Sequence, residues 1–140
     1  MFPGEEDRCY LNLGDGRFQD ISKSCGIAAP DGKGLGLVVA DFDNDGRLGI
    51  FVGNDTTANF LFRNRTIMPG TMPKFSEEAM LSGVAFDEDG HALSSMGIAA
   101  GEVNDDGRID LCITNFYHLA NALYVQRGGG LFANRNRSSG

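Results

Sequence analysis

Apolar residues in this chain fall in short runs separated by glycine, asparagine and aspartate. Leu35–Phe42 is apolar and β-rich, and an acidic turn leads from it into Leu48–Gly53. Ile50-Phe51-Val52 has no polar alternation, so it reads as a strand buried on both faces. Asn59–Asn64 gives a third strand through Phe60, Leu61 and Phe62, and Lys74–Glu78 a fourth, shorter and more polar. The same order returns with Ser95–Val103, Ile109–Phe116, Asn121–Gln126 and Leu131–Ala133. Ahead of both sets, Tyr10–Leu13 and Arg17–Ile21 are joined by Gly14-Asp15-Gly16, a strong hairpin turn. The pattern predicts about ten strands and little helix. Ser76-Glu-Glu-Ala-Met-Leu81 could form a single turn, with Ser76 as its cap.

The second set is a copy of the first. Gly36–Asn54 aligns on Gly97–Asn115 without a gap, at an offset of 61, bringing Asp45-Gly46-Arg47 onto Asp106-Gly107-Arg108. A second marker keeps a different period: Phe18, Phe75 and Phe132 lie 57 apart, as do Gly26 and Gly83. The segment Phe86–Met96 supplies the four residues by which the offsets differ. Units of four antiparallel strands at this length are the sequence habit of a β-propeller blade. The fold expected is all-β, with about two and a half propeller-type blades. Residues 1–25 end a preceding blade, 26–79 form blade one and 80–140 blade two.

Composition sharpens this picture in two places. Glycine is abundant, at 20 of 140 residues, without a collagen triplet, which fits turns and bulges. Nineteen acidic against 12 basic residues give a net charge of −7. That argues against nucleic acid as a partner, because no basic stripe could neutralise phosphates, and no apolar run reaches membrane-spanning length. The opening Met1–Asp7 has no signal-peptide pattern, so a cytosolic setting or an excised portion is expected from the residues alone. Cys9, Cys25 and Cys112 lack zinc-type spacing. Cys112, inside an apolar run, is expected to be a buried thiol, and a Cys9–Cys25 bridge is possible.

The acids cluster at the turns between the first two strands of each unit. Calcium takes six to eight oxygen ligands, and a loop with side-chain oxygens at positions 1, 3 and 5, glycine at 6 and a carbonyl at 7 directs them inward. Counted from Asp41, position 12 is Val52, and from Glu102 it is Ile113, so neither loop is an EF-hand. Closure at position 9 remains. The second loop offers Glu102, Asn104, Asp106, the Arg108 carbonyl and Asp110. The first offers Asp41, Asp43, Asp45 and the Arg47 carbonyl, but Gly49 stands at position 9. The second site is therefore expected to be the more complete, while the first would fill its gap with water, bind weakly or stay empty. Plain Asp/Asn-Gly turns would explain the glycines, yet three carboxylates within five residues repel one another unless a cation sits among them. Magnesium fits less well, because it demands stricter octahedral geometry.

Asp41-Phe-Asp-Asn-Asp-Gly46, followed by an apolar strand and Asn54-Asp55, resembles the FG-GAP/VCBS repeat of integrin α-subunit propellers. Leu11–Ile21, Gly32-Lys-Gly-Leu-Gly36, Ser95–Gly101 and Asn121-Ala-Leu-Tyr124 are similar to the FG-GAP portion of proteins with an ASPIC/UnbV domain. The resemblance implies calcium in the loop between a blade's first two strands, an extracellular or periplasmic setting, and a recognition or adhesion role. The calcium positions it implies are Asp41, Asp43, Asp45 and Arg47, then Glu102, Asn104, Asp106, Arg108 and Asp110. Gly49 departs from the family's closing Asp, and family propellers have more blades than this chain.

No catalytic constellation is expected. His91 and His118 lie in loops without a nucleophile beside them, Leu93-Ser-Ser-Met-Gly97 is not a nucleophile elbow, and Gly128-Gly-Gly130 precedes no helix. Phe116-Tyr117-His118 could contact a sugar or a partner, although packing between blades is the simpler expectation. Asn54, Asn64 and Asn136 begin glycosylation-type triplets, which are frequent by chance. The function expected is a calcium-stabilised recognition module whose protein or carbohydrate ligand is unknown. The alternatives are a scaffold that self-associates through exposed end blades and a non-catalytic part of a larger secreted enzyme.

Overall fold

A computed structural model describes residues 3–135. Ten strands form: β1 (Tyr10–Asn12), β2 (Phe18–Asp20), β3 (Gly34–Ala40), β4 (Gly49–Asn54), β5 (Phe60–Asn64), β6 (Phe75–Glu77), β7 (Ser95–Gly101), β8 (Asp110–Asn115), β9 (Ala122–Gly128) and β10 (Leu131–Asn134). They make a hairpin, β1-β2, and two four-stranded antiparallel sheets, β3-β4-β5-β6 and β7-β8-β9-β10. The architecture is all-β and blade-like, and among the described residues the sheets close no ring.

The two copies agree down to the irregularities of their ladders. A register shift separates Gly34 from Gly36 in one sheet and Ser95 from Gly97 in the other. The main core lies between the two sheets, where Phe51, Leu61, Leu111, Ile113 and Tyr124 are wholly buried. Burial of each such side chain contributes about 1.5–3 kcal/mol. The sheets approach closely because glycines face large residues: a Cβ on Gly53 would lie 2.9 Å from both Ile98 Cδ1 and Ser95 Cβ. A second core joins the hairpin to the first sheet through Ile21, Cys25, Ile27, Phe60 and Phe62.

The 57-residue period is carried by two one-turn helices, α1 (Ser22–Cys25) and α2 (Ala79–Ser82). Each ends on a left-handed glycine, Gly26 at φ 88° and Gly83 at φ 79°. Their Cβ positions would lie 2.4 Å from the Phe75 carbonyl oxygen and 2.7 Å from that of Phe132. Each cap glycine thus presses on the fourth strand of the sheet that follows it, which is why glycine and phenylalanine keep one spacing. Gly83→Ala should cost about 1–2 kcal/mol from its left-handed backbone, plus the displacement of Phe132. Gly90→Ala, at φ 81° with open space around it, should show the backbone cost alone. Equal urea midpoints for the two variants would refute the contact.

Several expectations are corrected. The turn near Ser76 starts later: Ser76 lies in β6, and α2 has Glu78 at its N-cap with no side-chain cap bond. Cys112 is exposed, because β8 turns it away from the sheet–sheet core, and Cys25 is the buried cysteine. Cys9 and Cys25 are free thiols; burial, then the neighbouring Cys25, pushes the Cys9 thiol up. Phe116 and Tyr117 do not pack between blades but stand 62% and 73% exposed. Asn136 lies outside the described residues. No helix among the described residues is long and apolar enough to cross a membrane.

Candidate metal centre

Both acidic loops leave the end of a blade's first strand and return as its second. Each bends through two left-handed residues, Asn44 and Gly46 in one, Asp105 and Gly107 in the other. Asparagine and aspartate tolerate that conformation better than other side chains do. The first acid of each loop organises the turn. Asp41 accepts the backbone N–H groups of Asp45 (3.1 Å) and Gly46 (2.8 Å), and Glu102 those of Asn104 (2.8 Å) and Asp106 (3.1 Å). The fifth position meets the seventh: the Arg47 guanidinium donates to Asp45 at 2.5 Å, and that of Arg108 to Asp106 at 2.6 Å.

Ninth positions separate the loops. Asp110 is buried, with one oxygen accepting the Val103 N–H (3.0 Å) and the other the Gln126 N–H (2.8 Å). It fastens the loop to β9. A Cβ on Gly49 would lie 3.1 Å from the Phe42 ring and 3.0 Å from the Phe62 carbonyl oxygen. Phe42 is buried there, whereas its counterpart Val103 is exposed. One loop therefore fills the space behind its turn with an aromatic ring and no side chain at position 9. The other fills it with a carboxylate.

The carboxylates of Asp41, Asp43 and Asp45 come within 4.8 Å of one another. Among the described residues, Glu102, Asp106 and Asp110 form no such trio. The convergence thus lies in the loop whose closing residue is glycine. Burial, then the charge of Asp45, pushes the Asp43 carboxyl up, with Arg63 opposing. Burial also raises Asp45, but the Arg47 N–H and guanidinium more than offset it, leaving this carboxyl below its usual value. A cation among three oxygens of this kind would relieve the repulsion at Asp43. The donor set suits calcium, with Asp41, Asp43, Asp45 and the Arg47 carbonyl as the groups that would hold it.

Two participants are not evident from the loop motif. Arg63, on β5, lies beneath the first loop with its side chain only 11% exposed and reaches Asp43 at 2.9 Å. Its terminal nitrogen also donates to the carbonyl oxygens of Gly129 (3.0 Å) and Gly130 (2.6 Å) at the β9–β10 turn. The apolar spacing of Phe60-Leu-Phe gives no hint of such a residue. The second is a further trio, Asp87, Asp89 and His91, in the segment between the repeats. Asp87 accepts the N–H groups of Asp89 (2.9 Å) and His91 (2.8 Å). The Asp-x-Asp-x-His spacing was the available signal, where His91 alone reads as surface-polar.

A family model for the FG-GAP-like repeat matches residues 3–52. Residues 3–52 carry an FG-GAP-like repeat. The matched window holds the whole loop from Asp41 to Gly49, so the converging carboxylates lie within the FG-GAP-like part. Human cartilage acidic protein 1 is 44% identical over 45 residues, a stretch that covers 32% of this chain and 7% of the human protein. The shared stretch is therefore short on both sides. The fold links it to the second loop, because the two four-stranded sheets repeat one register and one turn.

Proposed function

We propose that this chain is a calcium-binding, propeller-type repeat module for extracellular or periplasmic recognition or adhesion, in which calcium is structural. The convergence of Asp41, Asp43 and Asp45 within 4.8 Å carries this reading. An ion that binds the folded loop and not the unfolded chain adds stability by mass action, about 2.7 kcal/mol at a hundredfold excess over its dissociation constant. The module is not catalytic in this reading. The contact chemistry for a protein or carbohydrate ligand sits on the exposed loop of Phe116, Tyr117 and His118, where the Tyr117 and His118 rings lie 3.7 Å apart. The net charge of −7 disfavours nucleic acid.

Thermal melts in calcium, magnesium and chelator test the proposal. Calcium should raise the midpoint by roughly 5–10 °C over chelator, magnesium by less. Asp41→Asn with Asp45→Asn should remove most of the calcium increment. An unchanged midpoint on chelation would end the structural-calcium reading.

A further inference from the structure

Two adjacent residues of β5 reach the first loop from outside its motif. Arg63 meets Asp43, and Asn64 meets the chain where the loop returns, its side-chain Nδ2 donating to the Leu48 carbonyl at 3.1 Å. Ile50 lies opposite Phe62 as the last pair of that ladder, so by antiparallel register Leu48 lies opposite Asn64, two residues further on. The backbone ladder has stopped there, and a side-chain amide carries on in its place.

The second blade makes the same bond at the same place. Leu111 lies opposite Tyr124, which sets Ile109 opposite Gln126. The Gln126 Nε2 donates to the Ile109 carbonyl at 3.1 Å. Leu48 and Ile109 are both position 8 of their loops, counted from Asp41 and Glu102. An asparagine in one blade and a glutamine in the other thus converge on one backbone atom of the repeated turn.

The surroundings of the two bonds differ. In the second loop Asp110 also fastens the return, by accepting the Val103 and Gln126 N–H groups. The Gln126 side-chain oxygen is buried with no hydrogen-bond partner. The first loop has Gly49 in place of that carboxylate. There the Asn64 amide is held at both ends. Its oxygen accepts the Thr66 N–H (3.0 Å), and the Thr66 hydroxyl in turn accepts the Lys74 N–H (3.1 Å). The amide therefore points its oxygen to the β5–β6 loop and its nitrogen to Leu48.

Position 7 supplies a backbone carbonyl to a calcium loop, and here it is that of Arg47. The Arg47 N–H is held by Asp45 at 2.8 Å, and the Leu48 carbonyl is held by Asn64. The peptide group that carries the Arg47 carbonyl lies between these two anchored groups. We infer that Asn64 is a positioning residue of the first metal loop, setting the Arg47 carbonyl before a cation arrives. The inference rests on the calcium reading and adds to it a side chain outside the acidic motif. A ligand group set in advance costs less to order on binding, so its loss should appear in affinity and not only in stability.

Calorimetric titration of the full chain with calcium tests this role. Asn64→Leu, of similar size but without the donor, should weaken binding at the first loop about tenfold. Asn64→Gln, the amide that the second blade uses, should stay within about twofold of the unaltered protein. With Asp41→Asn and Asp45→Asn already present, Asn64→Leu should change calcium affinity no further. Asn64→Ser keeps an acceptor for the Thr66 N–H and withdraws the donor from Leu48, so it gives the same reading if the leucine variant does not fold. Calcium affinity left unchanged by these variants, with stability lowered in chelator, would make Asn64 a structural latch only and overturn the inference. A failure of the unaltered protein to bind calcium would remove the calcium reading itself, and the inference with it.

Discussion

Arg63→Met is expected to destabilise the calcium-free protein by about 3 kcal/mol, the lower end of the range for breaking a buried ion pair. The guanidinium joins groups from both sheets. It pairs with Asp43 at 2.9 Å and lies 3.3 Å from Glu78. It also bonds the Gly129 and Gly130 carbonyls of the other blade. Methionine keeps most of the apolar stem and leaves two half-sheltered carboxylates without their cation. Glu78 retains its contact with Arg65, so the charge left most exposed to repulsion is Asp43, which faces Asp45 and Asp41. Calcium in the loop would compensate that charge. Denaturation in chelator and in calcium should therefore give a smaller loss in calcium, and by linkage the variant should bind calcium more tightly. Acid should act in the same direction in chelator. Asp43 has a raised carboxyl pKa, so its favourable proton binding in the fold is complete at low pH and lost as pH rises through its titration. An equal loss with and without calcium would separate Arg63 from the metal loop.

The blade pattern was legible because each unit repeats both its apolar runs and its turns. Ile50-Phe-Val52 marked β4 without alternation, and Gly14-Asp-Gly16 marked the first hairpin. The two periods, 61 and 57, have separate physical origins. One follows the ladder and its acidic turn. The other follows the cap glycine pressing on the phenylalanine carbonyl of the fourth strand that follows it, a contact the sequence shows only as a spacing. Strand faces were harder to read. Cys112 lies in an apolar run but faces outward, since an exposed sheet face can carry apolar residues when nothing in a short window tells inside from outside. The ligand set had the same difficulty. Counting positions ranks Glu102–Asp110 above Asp41–Asp45, but counting cannot show that Asp110 gives both oxygens to backbone amides. Nor can it show that Phe42 closes over Gly49, or that Arg63 approaches from another strand.

The division between the loops leads to the other large expected effect. Asp110→Ala would remove the acceptor for the Val103 N–H and for the Gln126 N–H. A buried donor left without a partner costs about 1–3 kcal/mol, so the variant should lose about 3–5 kcal/mol of stability. Gln126 deepens the effect, since its side chain is buried and donates to the Ile109 carbonyl at 3.1 Å beside the same turn. Asp110→Asn keeps one acceptor oxygen and should lose about half as much. The discriminating measurement is the calcium dependence of the loss. As a backbone fastener, Asp110 should give nearly the same loss in chelator as in calcium, whereas Asp41→Asn should lose more in calcium because it removes part of the increment. If the Asp110→Ala loss shrinks sharply in chelator, Asp110 acts chiefly as a ligand and the second loop is a metal centre in its own right. If the loss persists there, a carboxylate at position 9 of this turn holds the strands whether or not an ion is bound. The first loop could then dispense with it, because Phe42 already occupies the space that Asp110 secures in the second.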